Sequence, residues 1–205
     1  TNMDLTLNLG ISEAANFYCG LSDDGKSYVD VQGGGDLTLR MTQQGEMRLI
    51  GRLTLEEGEM KYTLPIIPLK TFKLSQGSYV EFTGDVANPT LNIQAKERMK
   101  SVVTENDQQR SVAFDVGVAI SKTLEDMGLE FTVAAPEDMG IQNQLTAMTP
   151  AQRSKVAVSL MATGLFLADG YGAKGGMQAG SALNAFLQSE IQNIAGSALK
   201  TVDIN

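Results

Sequence analysis

The chain has 205 residues, 42% hydrophobic and 20% charged, which is enough to bury a sizeable core as one domain and too apolar for disorder. A formal charge of −8, with no cluster of Lys or Arg, argues against nucleic-acid binding and against charge-driven attachment to an anionic membrane. The sequence has no His, so Ser-His-Asp and Cys-His catalysis and the usual zinc sites are out of reach, and no metal or cofactor is expected.

From Thr1 to about Ala135 the dominant period is two. "DLTLNL" sets Leu5, Leu7 and Leu9 on one face. Cys19, between Tyr18 and Gly20, has no partner for a disulfide and reads as a buried spectator. "DLTLRMT" aligns Leu37, Leu39 and Met41, with Thr38 and Arg40 opposite. "GEMRLIGRLTL" continues with Met47, Leu49, Leu53 and Leu55, and "EMKYTL" with Met60, Tyr62 and Leu64. "SVAFDVGVAIS" alternates most cleanly, with Val112, Phe114, Val116, Val118 and Ile120, and "LEFTVAA" closes with Leu129, Phe131 and Val133. Such alternation predicts half-buried strands with one apolar and one polar face. "DDGK", "QQGE" and "EEGE" read as turns with Gly at positive φ. "LPIIPLK" reads as an edge or crossing loop, because Pro65 and Pro68 cannot donate to a ladder; Ile66 and Ile67 are a candidate contact surface.

After Pro136 the period changes. "TPAQ" predicts a helix start, with Thr149 as N-cap, Pro150 in the first turn and Gln152 at the capping-box position. The following "VAVSLMATGLFLA" is apolar but too short to span a bilayer, so it predicts a buried helix. A second helix is predicted over Ser181 to Leu199, with Leu183, Phe186, Leu187 and Ile191 on its apolar face. Between them, Gly170, Gly172 and Gly175 have the spacing of a dinucleotide fingerprint. They follow a helix rather than a strand, so the stretch reads as a linker. "TVDIN" begins a new alternation. The organisation is therefore strands over 1–135 and, in the same domain, a helical segment with a Gly-rich linker and the start of a further strand over 136–205. With strand pattern at its very start and no initiator Met, the chain reads as a piece of a longer protein.

A sheet with one apolar face must cover it with a second sheet, with helices, or leave it open as a trough for an apolar ligand. The lining residues are aliphatic and Met, with none of the polar anchors that orient a rigid ligand. The carboxylate pairs Asp23-Asp24, Glu56-Glu57, Glu125-Asp126 and Glu137-Asp138 read as solvated turns, with a paired-carboxylate hydrolase on a β-helix as the rival.

The stretch "GSYVEFTGDVANPTLNIQA" resembles the signature of the TamB C-terminal domain, from the translocation and assembly module. Gly77, Ser78, Phe82, Gly84, Asp85, Asn88, Pro89, Leu91, Ile93 and Ala95 carry the likeness. "LIGRLTLEEGEMKYTL" upstream and "LEFTVAAPEDMGIQNQLTAMTPAQRSKVAVSLMATGLFLADG" downstream are similar to the flanks of that signature, and the likeness covers residues 35 to 205. The resemblance implies a mainly β fold: a curved, twisted β-taco whose elongated groove has an apolar inside, with two or three helices in the C-terminal third. It implies no enzymatic reaction and a parent protein of the AsmA-like group, anchored in the inner membrane and crossing the periplasm. Its partners would be an outer-membrane β-barrel of the TamA/BamA type, phospholipid acyl chains and nascent outer-membrane proteins. On that reading the groove is lined by the alternating residues above from Leu37 to Leu55, by Val112, Phe114, Val116, Val118, Ile120, Phe131 and Val133, and by Val80, Phe82, Leu91 and Ile93. Gly77, Gly84, Asp85, Asn88 and Pro89 would form its turn motif. The apolar helix and the linker are candidates to fold over the trough and plug it. The alternative is a scaffold that pairs strand edges, near Pro65–Pro68 or at the chain's end, with a barrel or client strand.

Overall fold

The long alternating segments form strands that pair into one antiparallel sheet. A computed structural model describes residues 3–20, 22–64, 67–167 and 202–204. In chain order the elements are β1 (Leu5–Ile11), β2 (Asn16–Gly20), β3 (Tyr28–Met41), β4 (Met47–Leu64), β5 (Ile67–Leu74), β6 (Tyr79–Asp85), β7 (Thr90–Glu105), β8 (Gln108–Lys122), β9 (Met127–Ala134), α1 (Met139–Ala147), α2 (Pro150–Thr163) and β10 (Val202–Ile204). The strand order is β10-β2-β3-β4-β5-β7-β8-β9. β1 and β2 share one edge of β3 in succession, β2 against 28–32 and β1 against 35–41. β5 and β6 likewise divide the space between β4 and β7.

"QQGE" makes the β3–β4 hairpin, where the Thr42 N–H donates to the Glu46 carbonyl at 2.9 Å and Gly45 has φ +84. "EEGE" does not turn: β4 runs through it without a break. Its register against β3 slips between Gln32 and Gly33, so Glu56 is an extra residue between Leu55, opposite Gly33, and Glu57, opposite Gln32. This bulge explains a phase change in the sequence. Leu53 and Leu55 occupy odd positions, Met60 and Tyr62 even ones, and the inserted residue keeps all four buried. The consecutive Gly33, Gly34 and Gly35 have their own reason. A Cβ at any of them would run into backbone of Thr54, Ile11 or Arg52, so the neighbouring strands approach β3 more closely here than a side chain allows.

In "LPIIPLK", β5 begins at Ile67, paired with Leu64. Pro65 and Ile66 lie outside the described residues, as do the side chains of Ile67 and Pro68. The Gly-rich linker and the helix predicted over 181–199 also lie outside them, whereas the strand expected in "TVDIN" is β10, paired with β2.

The two helices among the described residues both carry caps. Asp138 caps α1, its side chain accepting from the Ile141 N–H at 3.0 Å. Thr149 and Gln152 form the predicted capping box of α2, with Pro150 in the first turn, and Gly164 ends the helix in the left-handed conformation. α2 buries Val156, Ala157, Val158, Leu160 and Met161 against β9, β8 and β5. Together with Phe72, Phe114 and Phe131 these residues form the main core.

Candidate ligand-binding face

Burial along the apolar face of the sheet falls steadily from the helix end to the β3–β4 hairpin. Val112, Phe114, Val116, Val118 and Ile120 on β8, with Phe131 and Val133 on β9, are at most 7% exposed and sit in the core under α2. Phe114 also stacks on Phe166, ring centroids 5.2 Å apart. Leu37, Leu53, Leu55 and Leu91 are buried as well. Val80, Phe82, Ile93, Leu39, Met41 and Leu49 are half-buried, and Met47 is 50% exposed.

The open end includes three residues absent from the predicted lining. Leu5, Leu7 and Leu9 on β1 are 49%, 42% and 39% exposed. Register joins them to the rest: Leu5 faces Met41, which faces Met47; Leu7 faces Leu39, which faces Leu49; Leu9 faces Leu37. Residues directly opposite in an antiparallel ladder share a face, so these side chains form one apolar strip three strands wide. The alternation of "DLTLNL" was visible in the sequence. What it lacked was any sign that α2 covers the other end of the face and leaves this one open.

The signature segment ties the sheet together below this strip. Gly77, φ +88, turns the chain between β5 and β6. Gly84 lies inside β6 rather than at a turn, with φ +142, and the Arg48 guanidinium folds over the place its Cβ would fill. Asp85 shapes the β6–β7 turn by accepting from the Ala87 N–H at 3.0 Å. The Asn88 side-chain oxygen accepts from the Glu125 N–H at 2.8 Å and the Pro89 carbonyl from the Leu124 N–H at 3.1 Å. Asn88 and Pro89 thus bind the β6–β7 turn to the β8–β9 turn. Ser78 does comparable work without having been a candidate. It is 2% exposed, its hydroxyl donates to the Ser75 carbonyl at 2.8 Å and accepts from the Gln94 N–H at 3.1 Å, and its carbonyl accepts from the Leu55 N–H. A buried hydroxyl at the junction of β4, β6 and β7 satisfies backbone groups that the strand crossings leave over.

The ion pairs beside α1 lie away from the strip. Arg110 binds Asp138 through two hydrogen bonds, at 2.8 and 3.1 Å, and Glu105 at 2.8 Å, while Gln144 on α1 donates to Glu105 at 2.6 Å. Hydrogen bonding to Arg110 holds both carboxyls below their ordinary values. Arg98 similarly bridges Asp115 and Glu137. The four carboxylate pairs are dispersed, with Glu56-Glu57 within β4 and Asp138 serving as a helix cap. Burial pushes the Cys19 thiol up to about 11, so it stays protonated at neutral pH. Among the described residues no group of three or more Cys, Asp and Glu is placed to hold a metal. The strip offers apolar contact and no group that could move a proton or attack a bond.

This arrangement defines an antiparallel β-sheet protein with a partly uncovered apolar face. The family model of the TamB C-terminal domain matches residues 1–205, and the chain belongs to that family. The match takes in residues 1–34 as well as the segment that carries the sequence resemblance. It makes the protein a member of an envelope-biogenesis family and an envelope-associated domain. Comparison with curated proteins gives no match. Among the described residues no helix is long and apolar enough to cross a membrane.

Proposed function

We propose that the uncovered strip of β1, β3 and β4 receives phospholipid acyl chains, as one segment of a β-taco-like groove in a periplasm-spanning bridge between inner and outer membranes. The observation that carries this reading is the continuity of one apolar face out of a packed core and into solvent, through Leu37, Leu39, Met41, Met47 and Leu49 to Leu5, Leu7 and Leu9. Large contiguous apolar exposure in a folded domain marks a binding surface. Each methylene removed from water contributes about 0.8 kcal/mol, so ten of them along the strip would supply roughly 8 kcal/mol before ordering costs. The strip has no polar anchor, which suits a chain that slides.

On this reading α2 is the end stop. It fills the face over Val112–Ile120, Phe131 and Val133, which keep that end of the groove closed, while strands and helices act as one domain. The parent protein would be held in the inner membrane by a segment before this domain and would meet an outer-membrane barrel of the TamA/BamA type, so that lipid delivery also serves the assembly of outer-membrane proteins. The test is native mass spectrometry with lipid extraction, on the chain purified from an envelope fraction. Phospholipid should accompany the wild type and be lost in Leu39→Asp and Leu49→Asp. Folded wild-type protein free of lipid, both as purified and after incubation with phospholipid vesicles, would refute the proposal.

A further inference from the structure

The face of the sheet turned away from the apolar strip holds a hollow of about 510 Å3, where the end of β5 meets β7, β8 and β9. Its polar lining is Ser75, Gln76, Gln94, Lys96 and Thr132, and Ala119 lines it between them. Side chains alternate along β7, so Gln94 and Lys96 point outward while Ala95, between them, lies in the core. The hollow exists because β8 is short of side chain on this face. In register, Ala119 stands between Gln94 and Glu130, and Gly117 between Lys96 and Thr132. No side chain could fill the second position, since a Cβ at Gly117 would run into the Ala95 carbonyl oxygen. The volume is that of a small-molecule site.

The groups around it are unpaired. Among the described residues the Ser75 and Thr132 hydroxyls, the Gln76 and Gln94 amides and the Lys96 ammonium make no side-chain hydrogen bond or ion pair. On the same face Arg52 binds Glu81, and Arg98 binds Asp115 and Glu137. Lys96 instead has Lys73 directly opposite on β5, and Glu59 stands only beyond Lys73, on β4. Like charges directly opposite in a ladder repel, and an anion beside Lys96 removes that cost. Amides and hydroxyls around one ammonium match an anion that carries hydroxyls of its own.

We propose that this hollow binds the phosphate ester of a small polyol, with the phosphate on Lys96 and the hydroxyls on Gln76, Gln94, Ser75 and Thr132. A lipid headgroup and a soluble ester present this same chemistry. The hollow and the acyl-chain strip lie on opposite faces, so the site stands without that reading. Glu130, opposite Ala119, is the carboxylate that flanks the hollow and opposes the anion.

NMR titration of the full chain with glycerophosphate should give saturable shifts at Gln76, Gln94, Lys96 and Thr132, and glycerol alone should give none. Lys96→Gln, which removes the ammonium–phosphate hydrogen bond, should weaken binding by on the order of tenfold. Ala119→Leu, which fills the hollow without changing its charge, should abolish it, and Glu130→Gln should strengthen it. Lys100→Gln, on the same face of β7 but outside the hollow, should leave it unchanged. Vesicles of phosphatidylglycerol separate the two sources. Capture that Lys96→Gln and Ala119→Leu both lose assigns the site to a lipid headgroup, and glycerophosphate shifts without such capture assign it to a soluble ester. Absence of saturable shifts, with any vesicle capture unchanged in Lys96→Gln, overturns the proposal. So do shifts that persist in folded Ala119→Leu, or a loss in Lys100→Gln equal to that in Lys96→Gln, which marks diffuse attraction by charge.

Discussion

Phe114 and Leu49 lie on the same face of one sheet, yet their substitutions should fail in opposite ways. Phe114 is fully buried beneath α2 and stacked on Phe166. Phe114→Ala opens a void that the capped helix and the paired β7 and β9 cannot collapse into, at a cost of about 3–5 kcal/mol. For a chain of this size each kcal/mol moves the melting temperature by roughly 2–4 °C, giving a drop of about 6–20 °C by circular dichroism. Phospholipid recovered from the folded protein at low temperature should remain at the wild-type level. Leu49→Asp sets a carboxylate among half-exposed Leu7, Leu39 and Met47, where water still reaches it, so stability should change by only about 1 kcal/mol. Lipid should be lost. If Phe114→Ala strips the lipid while its melting temperature moves by less than about 2 °C, the division of the face into a packed end and a binding end is wrong.

Ser78→Ala leaves the Gln94 N–H without its acceptor in a buried junction, and urea denaturation should register a loss of about 1–3 kcal/mol. Gly84→Ala forces a side chain into a backbone conformation at φ +142 and displaces Arg48, for a cost on the order of 1–3 kcal/mol, with lipid binding retained by the protein that folds. The contacts of Arg110 make the attachment of α1 sensitive to acid. Asp138 and Glu105 have depressed folded values, so their contribution is present above the unfolded carboxyl values and is lost as pH falls through the folded ones. Hydrogen exchange of the α1 amides should accelerate as pH drops below about 4, beyond the intrinsic pH trend. In Arg110→Met that extra acceleration should shrink to the part carried by the Asp138 cap on the Ile141 N–H, with faster exchange already at neutral pH.

Much of this architecture is legible in the sequence wherever a local rule governs it. Period-two alternation marks β8 and β9 because one face of each is packed and the other is not. Thr149, Pro150 and Gln152 announce α2 because the orphan N–H groups of a helix start accept few solutions. The failures have a common origin in strand pairing. "EEGE" has the composition of a turn, but whether a Gly reverses the chain or sits in a bulge depends on β3, with its three glycines, coming alongside. Gly84 reads as a turn for the same reason, when its role is to leave room for Arg48 from another strand. Asp138 looks like one of several solvated acids until α1 begins beside it. The open strip was half legible: its residues were visible, whereas their exposure is set by where α2 lies.

The residue types at the two ends of the face give an independent reason to regard the open end as a surface kept for contact. Under α2 the sheet presents Val112, Val116, Val118, Ile120 and Val133 with Phe114 and Phe131, which are β-branched or aromatic. Such side chains have few rotamers and are strong strand formers, so they suit a fixed jigsaw against a helix. At the open end the same face presents Leu5, Leu7, Leu9, Leu39, Met41, Met47 and Leu49, and half-buried Ile11 is the one β-branched residue that β1 adds to it. Strand propensity alone would favour Val or Ile at those positions. Side chains not branched at Cβ give up that preference and retain more rotamer freedom, which lets one surface conform to partners of differing shape. A face that only awaited a fixed covering element would gain from the stiffer residues. β-branched residues become fewer toward the exposed end, although Leu37, Leu53, Leu55 and Leu129 are buried on the same face, and that trend is the one expected of a surface that must conform to an acyl chain.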